Sequence, residues 1–214
     1  MLQGDSISAE IKGIFARMSP ITHFLIGWGL ASCAPALNRR ERAMVTFASV
    51  IPDVDGLGII AELATTNTAH PLNWWTEYHH VLGHNLGFAC LATFISIVAA
   101  RQKVKTGLLV FLSFHLHLLG DLAGARGPDG YQWPIPYFLP FSNSAQLTWS
   151  GQWALNAWPN VLITAALIVL AVGFARVRGY SPVEFFSKRA DAKVVAVLRK
   201  WFPLRQEGTA LAPN

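Results

Sequence analysis

The sequence predicts an all-α protein: a polytopic bundle of integral membrane helices, about four of them spanning, plus one short broken or re-entrant segment. Three observations lead there. Hydrophobic residues fill 52% of the 214 positions and charged residues only 14%, where a soluble domain carries ~25%. The mean hydropathy is +0.35, and the apolar residues gather in long segments. The net charge of +5 comes from basic residues clustered beside those segments, as orientation signals do. That placement argues against nucleic-acid binding.

Residues 7–18 read as a short amphipathic helix at an interface, closed by Pro20. The charged first twenty residues lack the apolar stretch and cleavage site of a signal peptide. An apolar helix is predicted over 21–37, followed by Asn38-Arg39-Arg40-Glu41-Arg42. The next apolar piece, 43–51, is too short to cross a bilayer, which needs ~20 residues. It stops at Pro52-Asp53-Val54-Asp55-Gly56, and 57–64 re-enters or lies along the surface. After an aromatic loop over 65–78, spanning helices are predicted at 79–100, 106–123 and 154–175. A loop rich in glycine, proline and aromatics separates the last two. Residues 1–179 thus read as one membrane-embedded domain, and 180–214 as a cationic amphipathic tail on the cytoplasmic side. Cys33 and Cys90 lie in apolar segments and read as small hydrophobes.

The basic turns at 39–42 and 101–105 and the region after 175 belong on the cytoplasmic face. Six of the eight tryptophans (74, 75, 133, 149, 153 and 158) then fall on the opposite side, as an interfacial belt does. Counted from the basic turns at ~1.5 Å per residue, Asp53, His117, His23, Asp121 and His84 stand ~16–25 Å up. Ionisable residues from four segments therefore meet in the outer half of the bilayer, where such groups mark function.

The centre of that set is Phe114-His115-Leu116-His117-Leu118-Leu119-Gly120-Asp121, where His117 and Asp121 share a helix face one turn apart. His115, two residues from His117, points elsewhere. The inventory of His23, Asp53, Asp55, His79, His80, His84, His115, His117 and Asp121, with no matching cysteines, suits zinc or another first-row divalent metal. It exceeds the needs of one four-coordinate ion, and two ions suit phosphoester hydrolysis. Asp55 or Glu77 would orient the attacking water or take its proton. Singly, each motif has a plainer role as helix stop, cap or buried pair; the agreement of four segments at one depth favours a metal. His79-His80-x-x-x-His84 also fits a di-iron oxidase or desaturase. His84 with His117 fits a non-enzymatic haem- or metal-binding protein.

The ordered motifs Thr22-His23, Pro52-Asp53-Val54-Asp55, His79-His80-Val81-Leu82-Gly83-His84-Asn85 and His117-Leu118-Leu119-Gly120-Asp121 resemble the YdjM-like membrane-bound metal-dependent hydrolases, bacterial inner-membrane proteins with LexA-regulated members. Trp133-Pro134-Ile135-Pro136-Tyr137-Phe138 resembles a proline-aromatic segment of that family. The resemblance spans roughly residues 20–140. It implies His23, Asp53, Asp55, His79, His84, His117 and Asp121 as the metal set. It implies a metal-dependent hydrolase of a bacterial inner membrane; the site's place in the outer half of the bilayer, facing the periplasm beneath an aromatic loop, points to a lipid or lipid-linked phosphoester as substrate. The family's Arg, Thr and Ser stand here as His80, Gly83 and Asn85, which makes His80 an extra ligand or catalytic candidate. The order of ligands is remotely similar to zinc-dependent phospholipase C, which implies Asp121 as a bridge between two ions.

Overall fold

The computed structural model describes residues 20–127 and 130–203. The helix expected over 7–18 lies outside them. Among the described residues there are eight α-helices and no strand. They are α1 (Pro20–Cys33), α2 (Arg39–Ala48), α3 (Gly58–Thr65), α4 (Trp74–Tyr78), α5 (Leu86–Ala99), α6 (Lys103–Gly124), α7 (Trp158–Arg178) and α8 (Lys188–Trp201). Short 3-10 turns cover Ile51–Leu57 and Pro182–Phe185.

By length and composition α6 and α7 can each cross a membrane. Arg39–Ala48 with Ile51–Thr65 adds a third span if the pair, bent by 56°, counts as one. The other two helices expected to span, α1 and α5, have 14 residues each. The break inside the third pair is where the sequence placed it. Pro52 cannot continue the hydrogen bonding of α2, and the chain tightens into the 3-10 turn.

The helix expected over 79–100 is corrected by the structure: α5 begins only at Leu86. Asn85 is its N-cap, with an extended backbone and a side-chain oxygen that accepts from the Phe88 N–H at 2.9 Å. Residues 79–85 are therefore an irregular segment, and His80 and His84 do not share a helix face. His80 even has a positive φ of 66°, sterically costly for a residue with a Cβ.

Helix α6 runs through the middle of the bundle and buries Val110, Ser113, Phe114, His117, Leu118 and Asp121. Val110 packs with Ala31, Val45 and Ala48 of α1 and α2. Phe114 and Leu118 pack with Ala89 and Ile135. Helix α7 buries little of itself, and Val161, Leu162, Ile168, Val169 and Leu170 are exposed along it, as on a lipid-facing helix. Gly179 ends it in the left-handed conformation, φ 78°. In the loop that follows α6, residues 152–153 fold back onto the end of that helix. Gln152 Nε2 donates to the Asp121 carbonyl at 2.8 Å, and the Trp153 N–H donates to that of Ala123 at 3.0 Å.

The basic turns gather at one end, as charge patterning predicted, around a residue the sequence did not single out. Glu41 is 1% exposed. Its Oε2 accepts from the Asn38 N–H, closing a capping box at the start of α2. Its Oε1 accepts from the N–H groups of Arg101 at 2.9 Å and Gln102 at 2.7 Å. One carboxylate thus ties the α1–α2 turn to the α5–α6 turn. Arg42 meanwhile pairs with Glu184 (Nε to Oε1, 2.8 Å) and lies over the Tyr180 ring, so the tail docks against α2.

Glu41→Ala would leave three backbone N–H groups without their acceptor. A loss of about 3 kcal/mol is expected from orphaned charge-assisted bonds. Thermal unfolding in detergent measures it, and an unchanged Tm would contradict the role.

Candidate metal centre

The chain brings four side chains from three segments to one point. Asp53 comes from the 3-10 turn, His84 from the irregular segment, and His117 and Asp121 from α6. One ligand atom from each lies within 4.8 Å of all the others. Nε2 of His117 is 3.1 Å from Nε2 of His84 and 2.9 Å from Asp121 Oδ2. His84 Nε2 is 3.2 Å from the same oxygen. Asp53 Oδ1 stands 3.8 Å from His84 Nε2 and 3.6 Å from His117 Nε2. These are the separations expected of ligands around one ion with bonds of ~2.0–2.2 Å.

The far nitrogens fix what the near ones present. His117 Nδ1 is 2.8 Å from the Ser49 carbonyl, which can only accept, so this nitrogen carries the proton. His84 Nδ1 faces Asp55 Oδ2 at 3.1 Å in the same way. With both Nδ1 atoms donating, each neutral ring turns the lone pair of Nε2 inward. Two lone pairs and a buried Asp121 Oδ2 with no hydrogen-bond donor then confront one another. Such an arrangement is repulsive without a cation among them. The field there attracts positive charge, whether proton or metal.

Asp55 is the support of this arrangement. Its Oδ1 accepts from His79 Nδ1 at 3.0 Å, and its Oδ2 from the Gly83 N–H at 2.9 Å as well as from His84. Both oxygens are thereby engaged, and Asp55 orients a ligand from behind. Gly83 lets the segment press against the 3-10 turn: a Cβ there would stand 2.1 Å from the Pro52 carbonyl oxygen.

The other sequence candidates divide clearly. His23 touches the group, with Nε2 3.3 Å from Asp121 Oδ1 and its ring 4.0 Å from that of His117, but it is not among the four. His79 bonds Asp55 and stacks on Trp75 at 3.8 Å. His80 is buried beside His84 and Trp133, and its Nδ1 has no partner. Glu77 is exposed on α4, outside the group. His115 bonds Phe111 and Tyr137 instead, as its offset predicts.

The group opens into a cavity of about 250 Å³, bordered by Asp53, Asp121, His79 and His80 and walled by Leu57, Ile59, Trp75, Trp133 and Leu155. Sequence reasoning missed Ser49, Gly83 and Trp133 as parts of the site. Ser49 acts through its backbone carbonyl, for which a sequence carries no signal. Gly83 was legible as a departure from the family pattern, as was Asn85, the N-cap of α5.

A family described as YdjM inner membrane protein matches residues 18–197 of the chain. No curated protein and no solved structure matches it.

Gly83→Ala pushes the 79–85 segment off the turn that carries Asp53 and Asp55. If the group holds a divalent metal, affinity for it, probed with zinc, is expected to fall ~10–100-fold, the usual effect of disturbing a ligand's support. Equilibrium dialysis measures it, and wild-type affinity would show that the close approach is dispensable.

Proposed function

We propose that this chain, which belongs to the YdjM family of inner membrane proteins, is a metal-dependent hydrolase that cleaves a phosphoester in a lipid or lipid-linked substrate. The observation that carries the reading is the convergence of His84 Nε2, His117 Nε2, Asp121 Oδ2 and Asp53 Oδ1 at the wall of an aromatic and apolar cavity. Two imidazoles and two carboxylates without a thiolate suit zinc. Asp121 turns Oδ2 toward His84 and His117 and Oδ1 toward His23. With both oxygens turned to imidazoles, these residues would hold one ion or two. A divalent cation there supplies Lewis acidity toward a phosphoryl oxygen and makes water a better nucleophile near neutral pH.

The chain's own groups have distinct parts. His84, His117 and Asp121 are the buried ligands. Asp53, whose side chain is 27% exposed, holds the side facing the cavity. Asp55 positions His84 and His79. His80 borders the cavity with an Nδ1 that has no hydrogen-bond partner, and is the candidate for moving a proton between water and the leaving oxygen. Glu77 has no part in this scheme. Trp75, Trp133, Leu57 and Ile59 suit an acyl or isoprenoid chain. A site toward the periplasm is supported by the basic turns at the far end, through the positive-inside tendency. A histidine-box di-iron role or a haem role draws less support, because only two histidines are among the four converging groups.

Elemental analysis of the purified protein, paired with a screen of lipid phosphoesters, tests the proposal. Zinc should co-purify with the wild type. His117→Ala and Asp121→Ala should still insert in the membrane yet lose the metal and more than ~10³-fold of the activity. Full activity in a metal-free variant would end the proposal, and a Soret band would replace it with haem.

A further inference from the structure

A second cavity, of about 630 Å³, lies at the basic end of the bundle. Arg39, Arg40 and Phe47 of α2 form one wall, Arg101 in the α5–α6 turn another, and Phe185 with Lys188 a third. Four cations thus face one space. The carboxylate that borders it, Glu41, has its oxygens taken up by the N–H groups of Asn38, Arg101 and Gln102. Glu184, next to Phe185 in the chain, pairs with Arg42. Arg39 donates to the backbone carbonyls of Glu184 and Phe185, which orient the guanidinium without neutralising it. The side chains of Arg40, Arg101 and Lys188 have no ion pair or hydrogen bond among the described residues.

The placement of these charges opposes the local electrostatics of the fold. Arg39 and Arg40 open α2, and Lys188 and Arg189 open α8, at helix ends that already carry partial positive charge. The acids in those first turns are committed internally: Glu41 as above, and Asp191 to the N–H and hydroxyl of Ser181. Positive charge at two positive helix ends, around an open cavity, lacks its counter-charge within the described chain. The cavity is also part apolar, with Phe47 41% exposed.

We propose that this cavity binds the phosphate headgroup of an anionic phospholipid in the leaflet at the basic end. Guanidinium groups grip phosphate oxygens through paired hydrogen bonds, and basic pockets between membrane helices suit anionic headgroups. Phe47 gives the acyl chains an apolar wall beside the head. A soluble phosphate would use only the cationic half. The inference is independent of the metal reading, since the two cavities share no lining residue.

The test uses the full chain, purified in a neutral detergent and stripped of lipid. It is titrated with phosphatidylglycerol, phosphatidylcholine or inorganic phosphate, with thermal stabilisation and native mass spectrometry as readouts. Phosphatidylglycerol should bind saturably and stabilise the protein, and phosphatidylcholine should not. Arg40→Gln and Lys188→Gln remove side chains with no internal bonds, so the fold should survive, as an unchanged elution volume would verify. Each should weaken phosphatidylglycerol binding about fivefold. Equal binding of the two lipids, or wild-type affinity in both variants, would overturn the proposal. So would inorganic phosphate stabilising the protein as much as the lipid does, which would reassign the cavity to a soluble anion.

Discussion

The site depends on one carboxylate that does not belong to the converging group. Asp55 accepts from His79, from the Gly83 backbone and from His84, and so fastens the irregular segment 79–85 to the 3-10 turn. The segment's other bonds are local: the Val81 and Leu82 N–H groups donate to the Tyr78 carbonyl, and the Asn85 side chain donates to the carbonyls of Val81 and Leu82, so among these bonds those to Asp55 are the ones that tie His84 to the turn. The bond to His84 also keeps the proton on Nδ1 and leaves Nε2 to face inward. A buried ligand must be held from behind to be presented in front, and Asp55 does this for one histidine as the Ser49 carbonyl does for the other.

Much of this was legible in the sequence, and the reasons are specific. His117 and Asp121 stand four apart on a long helix, so their common face followed from geometry alone. Pro52 announced the break that carries Asp53 and Asp55. Depth along the helices brought His23 and His84 to the same level. The segment 79–85 was not legible as irregular, because its apolar residues run straight into those of α5. Only the cap at Asn85 and the close approach at Gly83 separate the two. Asp55 stands two residues from Asp53 and carries the same group, so sequence could not assign one to the cluster and the other to its support. Glu41 looked like one more charge in a basic turn. Its burial comes from three backbone donors, two of them sixty residues away in the chain.

The two ends of the bundle divide the charge between them. At one end buried imidazoles and carboxylates concentrate a field that favours a cation, beneath an aromatic loop pinned to the end of α6. At the other, Glu41 and Glu184 are consumed in joining turns and tail, and the remaining guanidinium and ammonium groups face outward. That polarity suits a helical protein of the inner membrane.

X-ray absorption at the metal edge of the purified, zinc-loaded protein tests the central claim most directly. The expected spectrum shows imidazole nitrogens and carboxylate oxygens alone, at ~2.0–2.2 Å. The imidazole signal should halve when His84 is replaced. A sulfur shell, a spectrum without imidazole, or a protein that takes up no zinc would contradict it.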